Sequence, residues 1–396
     1  MFQGIDGMRV VIAPDSFKES LSAWGVALAI ASGVRDVIPD ADIVCLPMAD
    51  GGEGSLDAVL AATGGERRQA RVQNANNQAC DASWAWLGKG SAFIEMAAAA
   101  GLEQIPPGQR QPLQATSYGV GQLILQALDA GAEHIVLGLG GSASNDAGAG
   151  LIQALGASLC DAQGNELGLG GAALQQLASI SLDGLDLRLK NVKFEIAVDV
   201  DNPLCGPRGA SAIFGPQKGA SVADVALLDD ALAHFARICR EQLHKDEQHL
   251  PGMGAAGGLG FAVKTCFDAS FRPGVELIAE LSGLELAMRG TDLVFTGEGR
   301  MDAQTLLGKT PAGVARYAAR HNIPVIALVG SLGEGYEALY PAGITAAFSL
   351  APGPLALEQA CQHAPAYLRQ RAGDCIRLWL AGRQQAMTTV AKGNTQ

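Results

Sequence analysis

The chain has 396 residues, 48% hydrophobic and 17% charged, enough apolar material for full cores, which excludes a disordered chain. Lys and Arg number 28 against 40 Asp and Glu, a net charge of −12. No broad basic face is therefore available, and neither nucleic acid nor a membrane is an expected partner. The 51 glycines exceed the usual share of about 7% but follow no Gly-X-Y period, which excludes collagen.

The opening MFQGIDGMRVVIAP lacks the basic and apolar regions of a signal peptide. Met8 reads as the natural start, with the first seven residues an extension. The apolar run 8–13 ends at Pro14 and suits a buried parallel strand. Ser22 is placed to cap a helix running to about Val37, 42–48 reads as the next strand, and ADGGEG leads into a helix from about Ser55. The segments 67–73, 80–88 and 91–97 are joined by turn-length links, so antiparallel or mixed strands are expected there. A helix near 117–130, a strand from His134, a further helix and a strand over 193–200 follow. Apolar residues at helical spacing make Val222–Leu243 an amphipathic helix, and 244–258 reads as a polar, Gly-rich loop. Strand–helix alternation then resumes: strand 292–296, a helix opened by Thr310-Pro311, strand 324–330, a short helix near 335–340, strand 344–350 and a long terminal helix.

Alternating strands and helices at both chain ends imply a parallel sheet covered on both faces. The expected fold is α/β with two domains. A flavodoxin-like or Rossmann-like parallel sheet domain is built from residues 1–66 and 269–396, and a mixed α/β domain, 67–268, is inserted in it. No apolar run is long enough to cross a membrane. The eight cysteines stand singly, none in CxxC, and read as reduced thiols of a cytoplasmic protein.

Ligands of open α/β sheets bind beyond the carboxyl ends of the strands. Five strand ends here carry Asp, Ser, Asn or Lys, four of them with Gly: PDSFKES, ADGGEGS, GGSASNDAGAG, DVDNPLCGPRGASAIFGPQKGA and GEGRMDAQTLLGKT. In the third, glycines let backbone N–H groups converge on an anion, so Gly140, Gly141, Ser142, Ser144 and Asn145 are candidate phosphate ligands. Gly138, Gly140 and Ala143 also fit the short dinucleotide pattern G-x-G-x-x-A, but Asp161, the acidic residue at the downstream spacing, follows a hairpin-like segment, ASLCDAQGNEL, rather than a clear βαβ strand. AQTLLGKT ends like a P-loop but lacks its first glycine, and GEGRMD separates it from the strand. Lys309 remains a candidate phosphate contact. Asp50, Asp146, Asp199, Asp201, Glu298 and Asp302 all fall at strand ends or in the loops after them, where several carboxylates aimed at one cleft would repel one another without a cation such as Mg²⁺. Lys18 and Lys218 are the lysines best placed to offset anionic charge. No GxSxG, HExxH or CxxC motif supports a hydrolase or zinc reading.

SFKESLSA (16–23), ADGGEG (49–54), GGSASNDAGAG (140–150), DVDNPLCGPRGASAIFGPQKGA (199–220), GAAGGLG (254–260) and DLVFTGEGRMDAQTLLGKTPAGVA (292–315) occur in this order. Together they resemble the motifs of the bacterial glycerate kinase family, the type unrelated to hexokinase and ribokinase folds. The family pattern has Gly where Glu19 stands and Thr where Ser144 stands. The resemblance implies ATP-dependent phosphorylation of D-glycerate with Mg²⁺, in a two-domain α/β protein, and it favours the 2-phosphate over the 3-phosphate. It does not assign residue roles. On physical grounds glycerate is expected against Ser16 and Lys18 with Arg300 as a carboxylate fork, and the ATP phosphates on Gly140–Asn145. Mg²⁺ is expected on Asp199 or Asp201, with Asp50 accepting the hydroxyl proton; Asp50, Lys18 and Asp199 form the catalytic set. Another short sugar acid as substrate, a nicotinamide-dependent oxidoreductase and a non-catalytic sugar-acid sensor stay open as alternatives. The sequence leaves the oligomeric state undetermined.

Overall fold

The computed structural model describes residues 7–393. All of the leading extension except Gly7 lies outside the described residues. The chain divides into two compact units. One comprises the chain up to Asp50, Asp57–Thr63 and the chain from Ile278 onward; the other comprises Gly51–Leu56 and Gly64–Leu277.

The first unit holds a five-stranded sheet ordered Ala346–Ser349, Val325–Val329, Leu293–Thr296, Arg9–Ile12, Asp42–Cys45. Every pair is parallel. Val10, Val11 and Ile12 are wholly buried, as are Leu293, Val294 and Phe295, the signature of central parallel strands covered on both faces. Helix Ala23–Arg35 starts where Ser22 Oγ accepts the Gly25 N–H over 3.1 Å, and it buries Val26, Ile30 and Val34 against the sheet's core cluster. Arg9–Ile12 and Leu293–Thr296 are neighbours paired Val10↔Leu293 and Ile12↔Phe295. After the first, the chain continues to Asp42–Cys45 on one side; after the second, to Val325–Val329 on the other. This is a topological switch point, the place in an open α/β sheet beyond whose strand ends ligands bind.

The second unit holds a six-stranded mixed sheet ordered Ser270–Arg272, Lys193–Ala197, His134–Gly138, Ser91–Glu95, Ala79–Gly88, Glu66–Gln73. The first four run parallel and the last two pair antiparallel. Tyr118–Asp129 and Val222–Leu243 are helices as expected, the latter opened by a Ser221–Asp224 capping box. The segment read as a loop over 244–258 ends in the left-handed residues Ala256, Gly257 and Gly258, which kink the helical span Ala255–Phe267, so its regular helix follows that loop. The pattern reading also passed over strand Ser270–Arg272, helix Gly274–Ser282 and two small ribbons, Ser158–Cys160 with Ser179–Ser181 and Arg300–Met301 with Ser331–Leu332. The strands among these have two or three residues, too short for a period to register. Asp161 lies in the turn after Ser158–Cys160, where its carboxylate accepts the Gln163 and Asn165 N–H groups. It stabilises a local turn rather than ending a βαβ strand, unlike the ribose-binding acid of a dinucleotide fold.

Candidate active site

In the first unit the switch point gathers acidic and hydroxyl groups. Asp15 follows the strand Arg9–Ile12 and is tied to the neighbouring strand's exit by its N–H to Gly297 O, 2.8 Å. Its Oδ2 accepts the Thr310 hydroxyl over 2.6 Å, and its Oδ1 accepts the Ser16 N–H over 2.6 Å. Burial, then the charge of Asp50, push the Asp15 carboxyl up to about 7, against the lowering pull of Thr310, Ser16 and Lys18. Glu298 is buried at the next strand's exit. Its Oε1 accepts the Thr305 hydroxyl over 2.6 Å and its Oε2 lies 3.9 Å from Lys309 Nζ. Burial likewise lifts it to about 7, with Asp15 and Asp302 adding repulsion. Two carboxyls poised near neutrality beside hydroxyl donors form a natural proton-handling site.

The predicted residues of this unit fall around that pair. Ser16 bonds Asp15 directly, and Asp50 acts on it through charge. Lys18 is exposed in a tight turn closed by the Phe17 N–H to Leu21 O bond, with Phe17 buried in the core beneath. Glu19, in the same turn, has φ +62°, a left-handed conformation that glycine adopts freely and other residues adopt at a cost. Arg300 is exposed and its Nε sits 3.2 Å from Asp302 Oδ2. Lys309 is the N-cap of helix Thr310–Arg320 and leans on Glu298, as described.

In the second unit the loop after strand His134–Gly138 is the anion-binding candidate. The Gly140 N–H is spent on Gly51 O and the Ala143 N–H on Ala100 O. The N–H groups of Gly141, Ser142, Ser144 and Asn145 find no acceptor among the described residues. Backbone donors left open in a Gly-rich loop are what an anion cradle requires. The two glycines have different reasons. At Gly140 a Cβ would lie 2.3 Å from Gly52 Cα, so packing demands glycine. Gly141 is exposed with φ +71°, so its backbone conformation demands it.

The side chains expected to add donors here are placed otherwise. Ser144 and Asn145 are wholly buried. Asn145 Nδ2 donates inward to Ser211 Oγ over 2.8 Å, while Asn145 Oδ1 and Ser144 Oγ are buried without a partner among the described residues. Ser142 Oγ accepts from the Lys218 ammonium at 2.9 Å. The loop therefore offers mainly main-chain donors, together with the Ser142 hydroxyl, which accepts from Lys218 and keeps its own proton to donate. Beneath it Asp146, also wholly buried, accepts Ser117 N–H, Ser117 O–H, Gly148 N–H and Gly150 N–H. Burial raises its carboxyl despite those bonds. Glu95, at the end of its strand, accepts the Gly54 and Leu56 N–H groups and so fixes the ADGGEG turn.

The two carboxylates expected for Mg²⁺ differ. Asp201 is exposed and gives both oxygens to Arg208, each 3.0 Å away. Asp199 accepts the Gly274 N–H at 3.0 Å. Among the described residues no group of three or more His, Cys, Asp and Glu side chains is arranged to hold a metal ion, and no helix is long and apolar enough to cross a membrane. All eight cysteines are free.

Asp15, Thr305 and Thr310 were missed as functional candidates. The signal for Asp15 was present in the PDS that follows a buried strand. Nothing in one sequence pairs Thr310 with a residue 295 positions earlier.

Known proteins resemble this chain over nearly its whole length. A family model described as "Glycerate kinase family" matches residues 10–380. A glycerate 2-kinase of Escherichia coli (strain K12) is 51% identical over 344 residues, 87% of this chain and 90% of that protein. A glycerate kinase of Bacillus subtilis (strain 168) is 48% identical over 368 residues, 93% of this chain and 96% of that protein. A crystal structure carrying the name glycerate kinase 2, from Salmonella typhimurium LT2, superposes with a TM-score of 0.86 at 48% identity, covering 96% of this chain and 100% of that one. With family-wide motifs, near-complete coverage and a shared fold, this chain belongs to the glycerate kinase family.

Proposed function

We propose that this protein phosphorylates D-glycerate with ATP and Mg²⁺ and delivers the phosphoryl group to the 2-hydroxyl, giving 2-phosphoglycerate. Family membership supports the kinase class with ATP as co-substrate. The name of the Escherichia coli relative supports the 2-position. The observation that carries the reading is Asp15, a strand-end carboxyl held near 7 by burial and by Asp50, with the Thr310 hydroxyl fixing one of its oxygens.

Phosphoryl transfer asks the protein for alignment, charge neutralisation and a proton acceptor more than for covalent chemistry. Asp15 would take the hydroxyl proton, a role its pKa suits at neutral pH. Asp50 would tune it by charge instead of serving as the base itself. Lys18 and Arg300, with Ser16 beside Asp15, would hold the substrate's carboxylate and hydroxyls. In the second unit, the open amides of Gly141–Asn145 would hold phosphate oxygens; within the first unit, Lys309, which leans on Glu298, is a candidate phosphate contact.

The donor set suits Mg²⁺, which keeps water and phosphate oxygens and needs only one or two carboxylates in place of a closed protein cage. Asp199 is the residue proposed to hold it, since Asp201 is committed to Arg208. When bound, Mg²⁺ would neutralise charge on the phosphates. We propose further that each compact unit is a domain. The absence of a broad basic face argues against nucleic acid as a partner, and free thiols agree with a reducing compartment.

Incubation with ATP, Mg²⁺ and D-glycerate, followed by enolase alone, tests the proposal. Immediate consumption by enolase supports the 2-phosphate. A product that enolase ignores until a phosphoglycerate mutase is added assigns the 3-phosphate. No ADP release overturns the kinase reading itself.

A further inference from the structure

Lys218 is 2% exposed, a rare state for a lysine. It ends the short turn Pro216–Lys218, which follows helix Ala210–Phe214. Its ammonium donates to Ser142 Oγ at 2.9 Å and to Ser144 O at 2.6 Å, and no third acceptor meets it among the described residues. Both partners belong to the stretch whose main-chain N–H groups lack acceptors. A buried ammonium that grips one hydroxyl and one carbonyl of that stretch sets the direction of the peptide groups between them.

The charge balance points the same way. The carboxylate whose charge acts on Lys218 is Asp146, and its oxygens are already met by two N–H groups of the following turn, by the N–H and O–H of Ser117 and by the Thr116 hydroxyl. Burial pulls the lysine down to about 7, with Asp146 opposing only in part. A positive charge held this deep without a contact ion pair is incomplete by itself, and an anion resting on the open amides would complete it.

We propose that Lys218 is a positioning residue for the nucleotide's phosphates. It acts through Ser142 and Ser144, aiming the loop's amides at the anion and holding a positive charge beneath it. The proposal rests on the kinase reading for the identity of the anion and goes beyond it in assigning a residue and a mode of action.

Lys218→Met and Lys218→Gln in the full chain test it, with MgADP affinity measured by titration calorimetry, the KM for ATP and for D-glycerate measured separately, and melting temperature recorded. In Lys218→Met, the ADP Kd and the ATP KM should rise about tenfold or more, as expected on losing charged hydrogen bonds, while the glycerate KM stays within about twofold. Lys218→Gln, which keeps one donor group, should recover part of the nucleotide affinity. Unchanged ADP affinity in a folded Lys218→Met protein overturns the proposal. So does an equal rise of both KM values with a lowered melting temperature, the pattern of a merely structural lysine. If Lys218→Met does not fold, Ser142→Ala replaces it, since it removes one acceptor and leaves the lysine; normal ADP affinity there also overturns the proposal. Wild-type protein that binds ADP in a Lys218-dependent manner yet phosphorylates no short hydroxy acid would leave this assignment standing and remove the glycerate kinase reading.

Discussion

The Thr310 hydroxyl donates to Asp15 Oδ2 across 2.6 Å, joining the first turn of helix Thr310–Arg320 to the loop after strand Arg9–Ile12. The bond favours the ionised carboxylate, while burial and Asp50 disfavour it, so the residue is balanced close to neutral pH.

A base must be unprotonated to act, so kcat/KM is expected to rise with pH through about 7 and then level off, following Asp15. Thr310→Val removes a lowering contact and should move this limb to higher pH. Asp50→Asn removes a raising charge and should move it lower. Asp15→Asn should reduce turnover by ~10²–10⁴-fold. Initial rates across pH 5 to 9 check all three.

The same raised value has a consequence for stability. A carboxyl with a folded pKa above its unfolded one binds its proton more tightly when folded, so its contribution falls as pH climbs from about 4 to about 7. Asp15→Asn is expected to flatten that decline and to melt no lower than wild type at pH 8. Thermal melts of the two proteins at pH 5 and pH 8 check it.

Glu19 holds φ +62°. Glu19→Gly should relieve the strain of a side chain in the left-handed region, roughly 1 kcal/mol less the entropy glycine adds to the unfolded chain. The expected result is an equal or slightly higher urea midpoint with an unchanged slope, read from equilibrium denaturation.

In the second unit, Gly140→Ala and Gly141→Ala should fail in different ways. The first drives a methyl onto Gly52 Cα and should destabilise the unit by ~1–3 kcal/mol. The second meets only Ala97 Cβ at 3.3 Å, so its main effect should be a turned peptide and weakened nucleotide binding with a smaller loss of stability. Urea midpoints and ADP titration on both variants separate the outcomes.

Asp199→Asn should raise the Mg²⁺ concentration for half-maximal activity about tenfold, as loss of a carboxylate ligand does. Asp201→Asn should leave it unchanged and cost at most ~1 kcal/mol, because it removes only an exposed ion pair with Arg208. Activity titrated against Mg²⁺ in both variants provides the check.

Hydrophobic pattern and strand ends in the sequence determined most of the architecture. Runs such as 8–13 and 292–296 suit buried strands by their length and flanks, and the spacing of Val222–Leu243 suits a helix with one buried face, because side-chain period follows backbone geometry. The polar segments after the strands, most of them rich in Gly, marked where ligands belong, since a parallel sheet binds ligands beyond those ends. Tertiary structure alone decided which groups meet. Asp15 became prominent, ahead of Asp50, because burial and a hydroxyl from a distant helix act on it together. Ser144 and Asn145 turned inward because the segments carrying Gly257 and Ser211 pack against the loop. Asp201 was taken by Arg208, seven residues on, once the intervening turn brought the two together. A pKa and a hydrogen-bond partner are properties of what surrounds a group in space, and a linear sequence carries that only after the chain has folded.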